Sequence, residues 1–251
     1  MLQFDNKVAL ITGSTQGIGR ATALEIGRRG GSVTVNYPFE SDRPDAERVV
    51  AEIEADGGRA IAVQADVTDL AAIRRLFDET EAAFGGLDFV VSNAGGTPGF
   101  VPIADCSEAM FDAAFGLNAK ATFFVLQEAA RRVRDQGRIV GLSSSTTRLV
   151  YGGTAHYAGA KAAVELYCKV LSKEIGARGI TVNSLSPGMT DTEGMRAANP
   201  PPERLEIVRN LTPLGRIGQA EDVARAIVML LGEDARWITG QHINAGGGAF
   251  H

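Results

Sequence analysis

Tyr157 and Lys161 stand four residues apart, a spacing that puts both side chains on one face of a helix, one turn from each other. An ammonium that close favours the phenolate and pulls a tyrosine pKa down towards neutrality. A phenol tuned in this way passes a proton to or from a carbonyl or alcohol oxygen at working pH. Upstream lies a serine cluster, Ser143, Ser144 and Ser145, at the end of an apolar stretch (138–142) that reads as a buried strand. A tyrosine and a lysine at this spacing occur by chance on many helices, so the rest of the chain has to supply the context.

The elements around the pair supply it. Val8–Ile11 is a short apolar run, the pattern of a strand buried on both faces. It leads into Gly13, Ser14, Gln16, Gly17, Ile18 and Gly19, a G-x-x-x-G-x-G turn, and then into a helical pattern through Ala21, Leu24 and Ile26. Glycines let a backbone approach a diphosphate, and a helix N-terminus offers free N–H groups and the positive end of a dipole. The competing reading is a tight strand-to-helix turn, and the flanking strand and helix favour nucleotide binding. Residues 32–36 form a second strand whose end normally meets an adenosine ribose. That end reads Asn36-Tyr37-Pro38, with no carboxylate to repel a 2′-phosphate. Asp66, after a third strand, suits an adenine amino group or simply a turn; taken alone, the turn is the better reading.

A fourth strand (87–91) ends in the small residues Asn93, Ala94 and Gly95, against which a cofactor ring can lie. The region 108–134 reads as a long helix with Asn118 at its middle, where asparagine predicts a kink or a side-chain bond to the backbone. A sixth strand (180–185) runs into Pro187 and Gly188, opening an irregular, proline-rich segment with Thr190 and Thr192 that extends to about residue 213. A helix at 220–231 and a strand near 242–244 complete the chain. Strands alternating with helices predict α/β architecture: a single doubly wound, Rossmann-type domain over 1–251, with about seven mostly parallel strands and helices on both faces.

Composition narrows the partners. A net charge of −5 over 251 residues gives no attraction to nucleic acid or to an anionic membrane. Cys106 and Cys168 are far apart, without C-x-x-C spacing or a nearby histidine cluster, so no metal site or disulfide is expected and a reducing compartment fits. The N-terminus lacks the pattern of a signal peptide and no apolar run reads as long enough to span a bilayer, so the expected location is cytoplasmic.

Five stretches now coincide in order: the turn 12–19, Asn93-Ala94-Gly95, Asn118, Ser144, and Tyr157 with Lys161. Together they resemble the short-chain dehydrogenase/reductase family over essentially the whole chain, most closely its 3-oxoacyl-(acyl-carrier-protein) reductase and glucose dehydrogenase branches. The resemblance implies hydride transfer between NAD(P)(H) and a carbonyl or alcohol substrate, 3-oxoacyl thioesters included. It implies that Tyr157 is the acid/base, that Lys161 lowers its pKa and bonds the nicotinamide ribose, and that Ser144 binds the substrate oxygen, with Ser143 and Ser145 as off-register alternatives. Asn118 would hold a water linked to Lys161. Gly13, Gly17, Ile18 and Gly19 would cradle the diphosphate, Asp66 and Val67 the adenine, and Asn93, Ala94 and Gly95 the nicotinamide ribose. Pro187, Gly188, Thr190 and Thr192 would meet the carboxamide.

The acid-free strand end at Asn36, with Ser14, Ser41 and Arg43 nearby, leans the cofactor to NADP, while Gln16 and Pro38 lack the charge that many NADP-dependent members carry and keep NAD as the alternative. The family also suggests a homotetramer, paired through the helices around Asn118 and Tyr157, whose apolar residues Phe111, Phe115, Phe123 and Phe124, and Val164, Tyr167 and Leu171, exceed what one sheet contact hides. Arg131, Arg132, Arg134 and Arg178 either complement a helix dipole or dock an acidic acyl carrier protein. His156, beside the tyrosine, points about 100° around the helix, and His242 and His251 read as a strand residue and a terminus. A non-catalytic dinucleotide sensor or scaffold is the alternative of another class; such a protein has no reason to keep Ser144, Tyr157 and Lys161 together.

Overall fold

Val8–Ile11 (β1) alternates its side chains between two cores: Ala9 and Ile11 enter one, Val8 and Leu10 the other. Both faces are therefore covered, and a strand that is apolar on both sides sits at the centre of a sheet. The computed structural model describes residues 3–249, so His251 lies outside the described residues. β1 pairs with Ser32–Tyr37 (β2) on one side and Leu87–Ser92 (β4) on the other. Arg59–Gln64 (β3), Val133–Leu142 (β5), Thr181–Pro187 (β6) and, past two short strands, His242–Ala245 (β9) complete a seven-stranded sheet. Its order is β3-β2-β1-β4-β5-β6-β9 and every pair is parallel. One face packs on helices Gly17–Arg28 (α1) and Arg43–Ala55 (α2), the other on Leu70–Phe84 (α3). The order reverses between β1 and β4, so the carboxyl ends of these two strands open the crevice in which such sheets bind ligands.

The long helical region is interrupted where Asn118 suggested. Glu108–Phe115 (α4) and Ala121–Arg132 (α5) are joined by a π-helical turn, Gly116–Lys120. Its cause is visible: the Asn118 amide donates to Ala114 O at 2.9 Å and to Gly96 O at 2.8 Å, while its carbonyl accepts from Gly96 N at 3.0 Å. The joined run Glu108–Arg132, 25 residues, holds an 18-residue window with a mean hydropathy of 1.2, long and apolar enough by length and composition alone to cross a membrane, which corrects the expectation that no such stretch exists. In the fold one side of it is packed in the core through Ala114, Ala121, Val125, Leu126 and Ala129. The other side stays exposed.

Two other expectations are corrected. α5 ends at Arg132 because Val133 turns extended, so Arg134 belongs to β5, where it bonds Gly85 O at 2.6 Å and Asp88 at 3.3 Å. The segment after Pro187 is ordered rather than irregular. It holds Thr190–Asp191 (β7), helices on either side of a proline run at Glu193–Ala197 (α7) and Pro202–Leu211 (α8), and a pairing of β7 with Gly218–Gln219 (β8). Proline at 200–202 breaks the segment into two helices instead of abolishing helix, since Pro202 occupies a first-turn position where its missing N–H is harmless. Ala220–Leu231 (α9) then packs beside α1 against the sheet.

Candidate active site

The glycine turn after β1 is held from three sides. Thr12 Oγ1 accepts from the backbone N–H groups of Asn93 and Ala94, both at 3.0 Å, and the Asn93 amide returns bonds to Thr12 O at 2.9 Å and Gly13 O at 2.8 Å. These four bonds lock the ends of β1 and β4 across the switch point. Gly13 and Gly17 have φ of +61° and +55°, where a side chain would be strained. A Cβ on Gly19 would lie 2.3 Å from Gly13 O, so only glycine lets α1 start this close to the strand. Ile18 lies partly buried in the first turn, while Gln16 is exposed at the N-cap without a capping bond.

Asn36 and Ser14 have other work than the one expected of them. Asn36 is buried; its carbonyl accepts from Gly13 N at 3.0 Å and its amide donates to Ala65 O at 2.9 Å. Ser14, also buried, donates to Ile11 O and accepts from Asn36 N. Both side chains brace the turn from inside the protein. Asp66 likewise spends Oδ1 on the N–H and hydroxyl of Thr68, at 2.9 and 2.8 Å, the turn reading of that residue; Val67 beside it is buried.

One anion already sits on the turn. Glu193, at the start of α7, places Oε2 2.9 Å from the Gly17 N–H, at the N-terminus of α1. Thr192 caps α7 through Met195 N and packs against Gly17. Thr190 bonds Gly188 O at 2.9 Å, and Gly188, after Pro187, packs so closely on Gly246 that a Cβ would clash at 2.8 Å. Sequence reasoning did not find Glu193. Its signal, an acid one residue past a threonine in the loop facing the glycine turn, has meaning only once that loop is folded back.

On the other side of the crevice, Ala155–Ile175 (α6) carries Tyr157 and Lys161. Lys161 is buried and its ammonium donates to Leu142 O at 2.9 Å, at the end of β5. Gly95 lies against it: a Cβ there would be 2.7 Å from both Lys161 Nζ and Asn118 Oδ1. Gly95, Asn118 and Lys161 thus meet at one point. Of the three serines, Ser144 is the one that acts on the Tyr157 phenol, whose pKa it lowers. Ser143 turns the opposite way, into the protein, and Ser145 begins a short 3-10 turn.

The electrostatics differ from expectation in one respect. Burial is the largest influence on Tyr157 and raises its pKa; Ser144 pulls it back down. The Lys161 ammonium lies 6.0 Å from the ring centroid and donates to the Leu142 carbonyl. Burial also lowers the Lys161 pKa to about 8. His156 is buried, with neither ring nitrogen partnered among the described residues, and takes no part in this cluster.

The family model described as enoyl-(acyl carrier protein) reductase matches residues 13–249. The chain is 40% identical to versicolorin reductase stcU of Emericella nidulans over 260 residues, covering 99% of this chain and 97% of that protein. It is also 40% identical to the short chain dehydrogenase/reductase AacuN of Aspergillus aculeatus, with 97% and 95% covered. Among solved structures, the angucycline C-6 ketoreductase LanV with bound NADP superposes with a TM-score of 0.92 at 36% identity, covering 98% of this chain and 96% of that one. A short chain dehydrogenase of Burkholderia cenocepacia in complex with NADP gives 0.91 at 37%, covering 98% and 99%. The chain belongs to the short-chain dehydrogenase/reductase family, whose members are NAD(P)-dependent oxidoreductases acting on carbonyl and alcohol groups.

Proposed function

We propose that this protein is an NADPH-dependent ketoreductase for planar aromatic ketones, with Tyr157 as its general acid. The observation that carries the reading is the Tyr157 phenol, acted on by Ser144 and 6.0 Å at its ring centroid from the buried Lys161 ammonium on the same helix. The cofactor fit has its own support: a glycine turn with no room for a Cβ at Gly19 and positive φ at Gly13 and Gly17, with one of its N–H groups already on a carboxylate. Gly13, Gly17, Ile18 and Gly19 would hold the diphosphate there, and NADPH, once bound, supplies the hydride. Ser144 and Tyr157 hold the substrate carbonyl oxygen as charge develops on it. Tyr157 gives that oxygen its proton, which with the hydride on carbon balances ketone to alcohol. Lys161 keeps a positive charge beneath the phenol, and Asn118 fixes the Gly95–Gly96 backbone against it.

The substrate class rests on the loops that follow β4 and precede α6. Phe100 and Tyr151 are exposed aromatic rings on two loops joined by Val101 N–H to Gly153 O at 2.9 Å. The Arg204 guanidinium, from α8, lies 4.6 Å from the Phe100 centroid and 5.8 Å from that of Tyr151. Flat faces of this kind favour a flat ligand, in line with relatives named for versicolorin and angucycline reduction. An acyl-carrier-bound thioester is less well supported. Arg132 is tied to Asp78, Glu81 and Glu128, and Arg178 to Asp135 and two carbonyls, so the basic patch is largely neutralised from within.

The protein acts in this reading as one domain, in the cytoplasm, where the free Cys106 and Cys168 stay reduced. It assembles as a homotetramer. The exposed apolar side chains supporting that are Phe111 and Phe123 on the α4–α5 run and Leu166 and Val170 on α6; Val164 and Leu171, expected to share in it, are buried in the subunit's own core. Steady-state assays of planar aromatic ketones, aliphatic ketones and acyl thioesters, each with NADPH and NADH, test the reading. A preference for thioesters overturns the substrate class. A Tyr157→Phe variant that keeps more than a tenth of the wild-type rate overturns the acid, because the loss would be under the ~1.4 kcal/mol of one decade.

A further inference from the structure

Glu165 lies one turn beyond Lys161 and two beyond Tyr157, on the inward side of α6, and its side chain is only 13% exposed. A carboxylate this far from water needs partners, and it has them on the segment that carries Ser144. At one end of that segment Ser143, buried, donates its hydroxyl to Glu165 Oε1 at 2.9 Å, with Lys161 O a second acceptor at 3.1 Å. At the other end Arg148 places Nη2 3.1 Å from Glu165 Oε2. Each oxygen of one carboxylate therefore grips one end of the 143–148 turn. The same Oε1 lies 3.6 Å from His242 Nε2, and the His242 Nδ1 is 2.8 Å from Ser184 Oγ, which extends the tie to β9 and β6.

From this we infer that Glu165 is a positioning residue for catalysis: it fixes the serine turn to the tyrosine helix and so sets where Ser144 stands against Tyr157. The inference rests on the proposed roles of Ser144 and Tyr157. Ser144's own hydroxyl accepts from Thr146, inside the same turn, and the turn's other tie to the sheet is the Ser143 N–H to Leu185 O at 2.8 Å. Moving the turn by a fraction of an ångström leaves the fold and the glycine cradle intact while misaligning the group that stabilises the oxyanion, and misplacements near 1 Å cost about a hundredfold in rate. The ionisable groups facing Glu165 are Arg148, His242 and Cys168; burial keeps the His242 pKa below its usual value and pushes the Cys168 thiol up to about 12. At neutral pH, Arg148 is thus the charge that answers the carboxylate.

The test compares Glu165→Ala, Glu165→Gln and Arg148→Met with wild type and with Tyr157→Phe. For each, kcat and KM for one aromatic ketone, NADPH affinity by fluorescence titration, melting temperature and the pH profile of kcat are measured. Glu165→Ala is expected to lower kcat about tenfold or more with NADPH affinity unchanged. The limb of the profile belonging to Tyr157 should move to higher pH, because the serine that lowers the phenol's pKa is displaced. Glu165→Gln keeps an acceptor for Ser143 and should recover most of the rate; Arg148→Met, at a more exposed position, should fall between. If all three keep kcat within twofold of wild type while Tyr157→Phe is inactive, this inference fails and the catalytic reading stands. If kcat, NADPH affinity and melting temperature fall together with the pH profile unmoved, Glu165 is scaffold only. An active Tyr157→Phe removes the catalytic reading beneath it.

Discussion

The corner formed by β5 and α6 and the lobe formed by residues 190–219 are built on opposite terms. In the corner, Ser143, Lys161 and Asn118 are buried and each is bound to backbone or to a second side chain. In the lobe the anchoring ion pairs, Arg196 with Asp191 and Arg216 with Asp222, are exposed and worth little in water. A cleft of about 420 Å³ remains between α7, α8 and β8, lined by Met195, Leu205, Arg209 and Ile217 among others. The difference teaches how each part is held: the proposed reacting groups by buried bonds, the lobe beside them by ion pairs open to water. Glu193 joins the two, bridging the lobe to the glycine turn.

The largest expected effect lies in the corner. Lys161→Met removes a buried charge whose folded pKa is about 8 against 10.5 in the unfolded chain. Below pH 8 both states hold the proton and the folded state bears the whole desolvation cost, which vanishes as pH rises past 10.5. The variant should therefore gain stability relative to wild type at pH 7, and that gap should narrow by up to about 3 kcal/mol between pH 8 and 10.5. Urea titrations at these pH values measure it; a gap that stays constant with pH would show that the lysine is not desolvated.

A smaller effect is expected at the rim of the cofactor cleft. Arg43, stacked on Tyr37 and paired with Glu40, is the exposed cation at the end of β2. Arg43→Ala should lower the NADPH-to-NADH ratio of kcat/KM by about tenfold, the worth of one charge-assisted bond to a 2′-phosphate. An unchanged ratio would mean the phosphate is held elsewhere. Smaller again is Glu193→Gln, which takes a negative charge off the N-terminus of α1. NADPH should then bind about two- to fivefold tighter, the range of one charge at a helix end. Calorimetry that finds weaker binding would recast Glu193 as part of the cofactor site.

How much of this was legible in the sequence follows the same division. β1, α3 and α9 begin and end where their apolar patterns and caps put them, because burial on a fixed period leaves no other register. Asn118 announced its π turn through its poor fit to a helix interior. What the residue types could not reveal was commitment. Asn36 and Ser14, expected beside a cofactor, are bonded to each other's strand and turn, and Glu165 and Glu193 drew no reading at all. Those roles depend on partners 22 to 176 residues away, which no local pattern encodes.

One set of rates tests the division most directly: kcat/KM for a planar polycyclic ketone and for a small aliphatic ketone, in wild type, Tyr157→Phe and Arg204→Ala. Tyr157→Phe should lower both substrates by the same factor of about a hundred or more, because the proton it removes is common to both. Arg204→Ala should change their ratio by about tenfold and leave the aliphatic substrate nearly untouched, since only a flat ligand uses the faces of Phe100 and Tyr151. Equal losses for both ketones in Arg204→Ala, or unequal losses in Tyr157→Phe, would contradict the separation of chemistry from substrate choice.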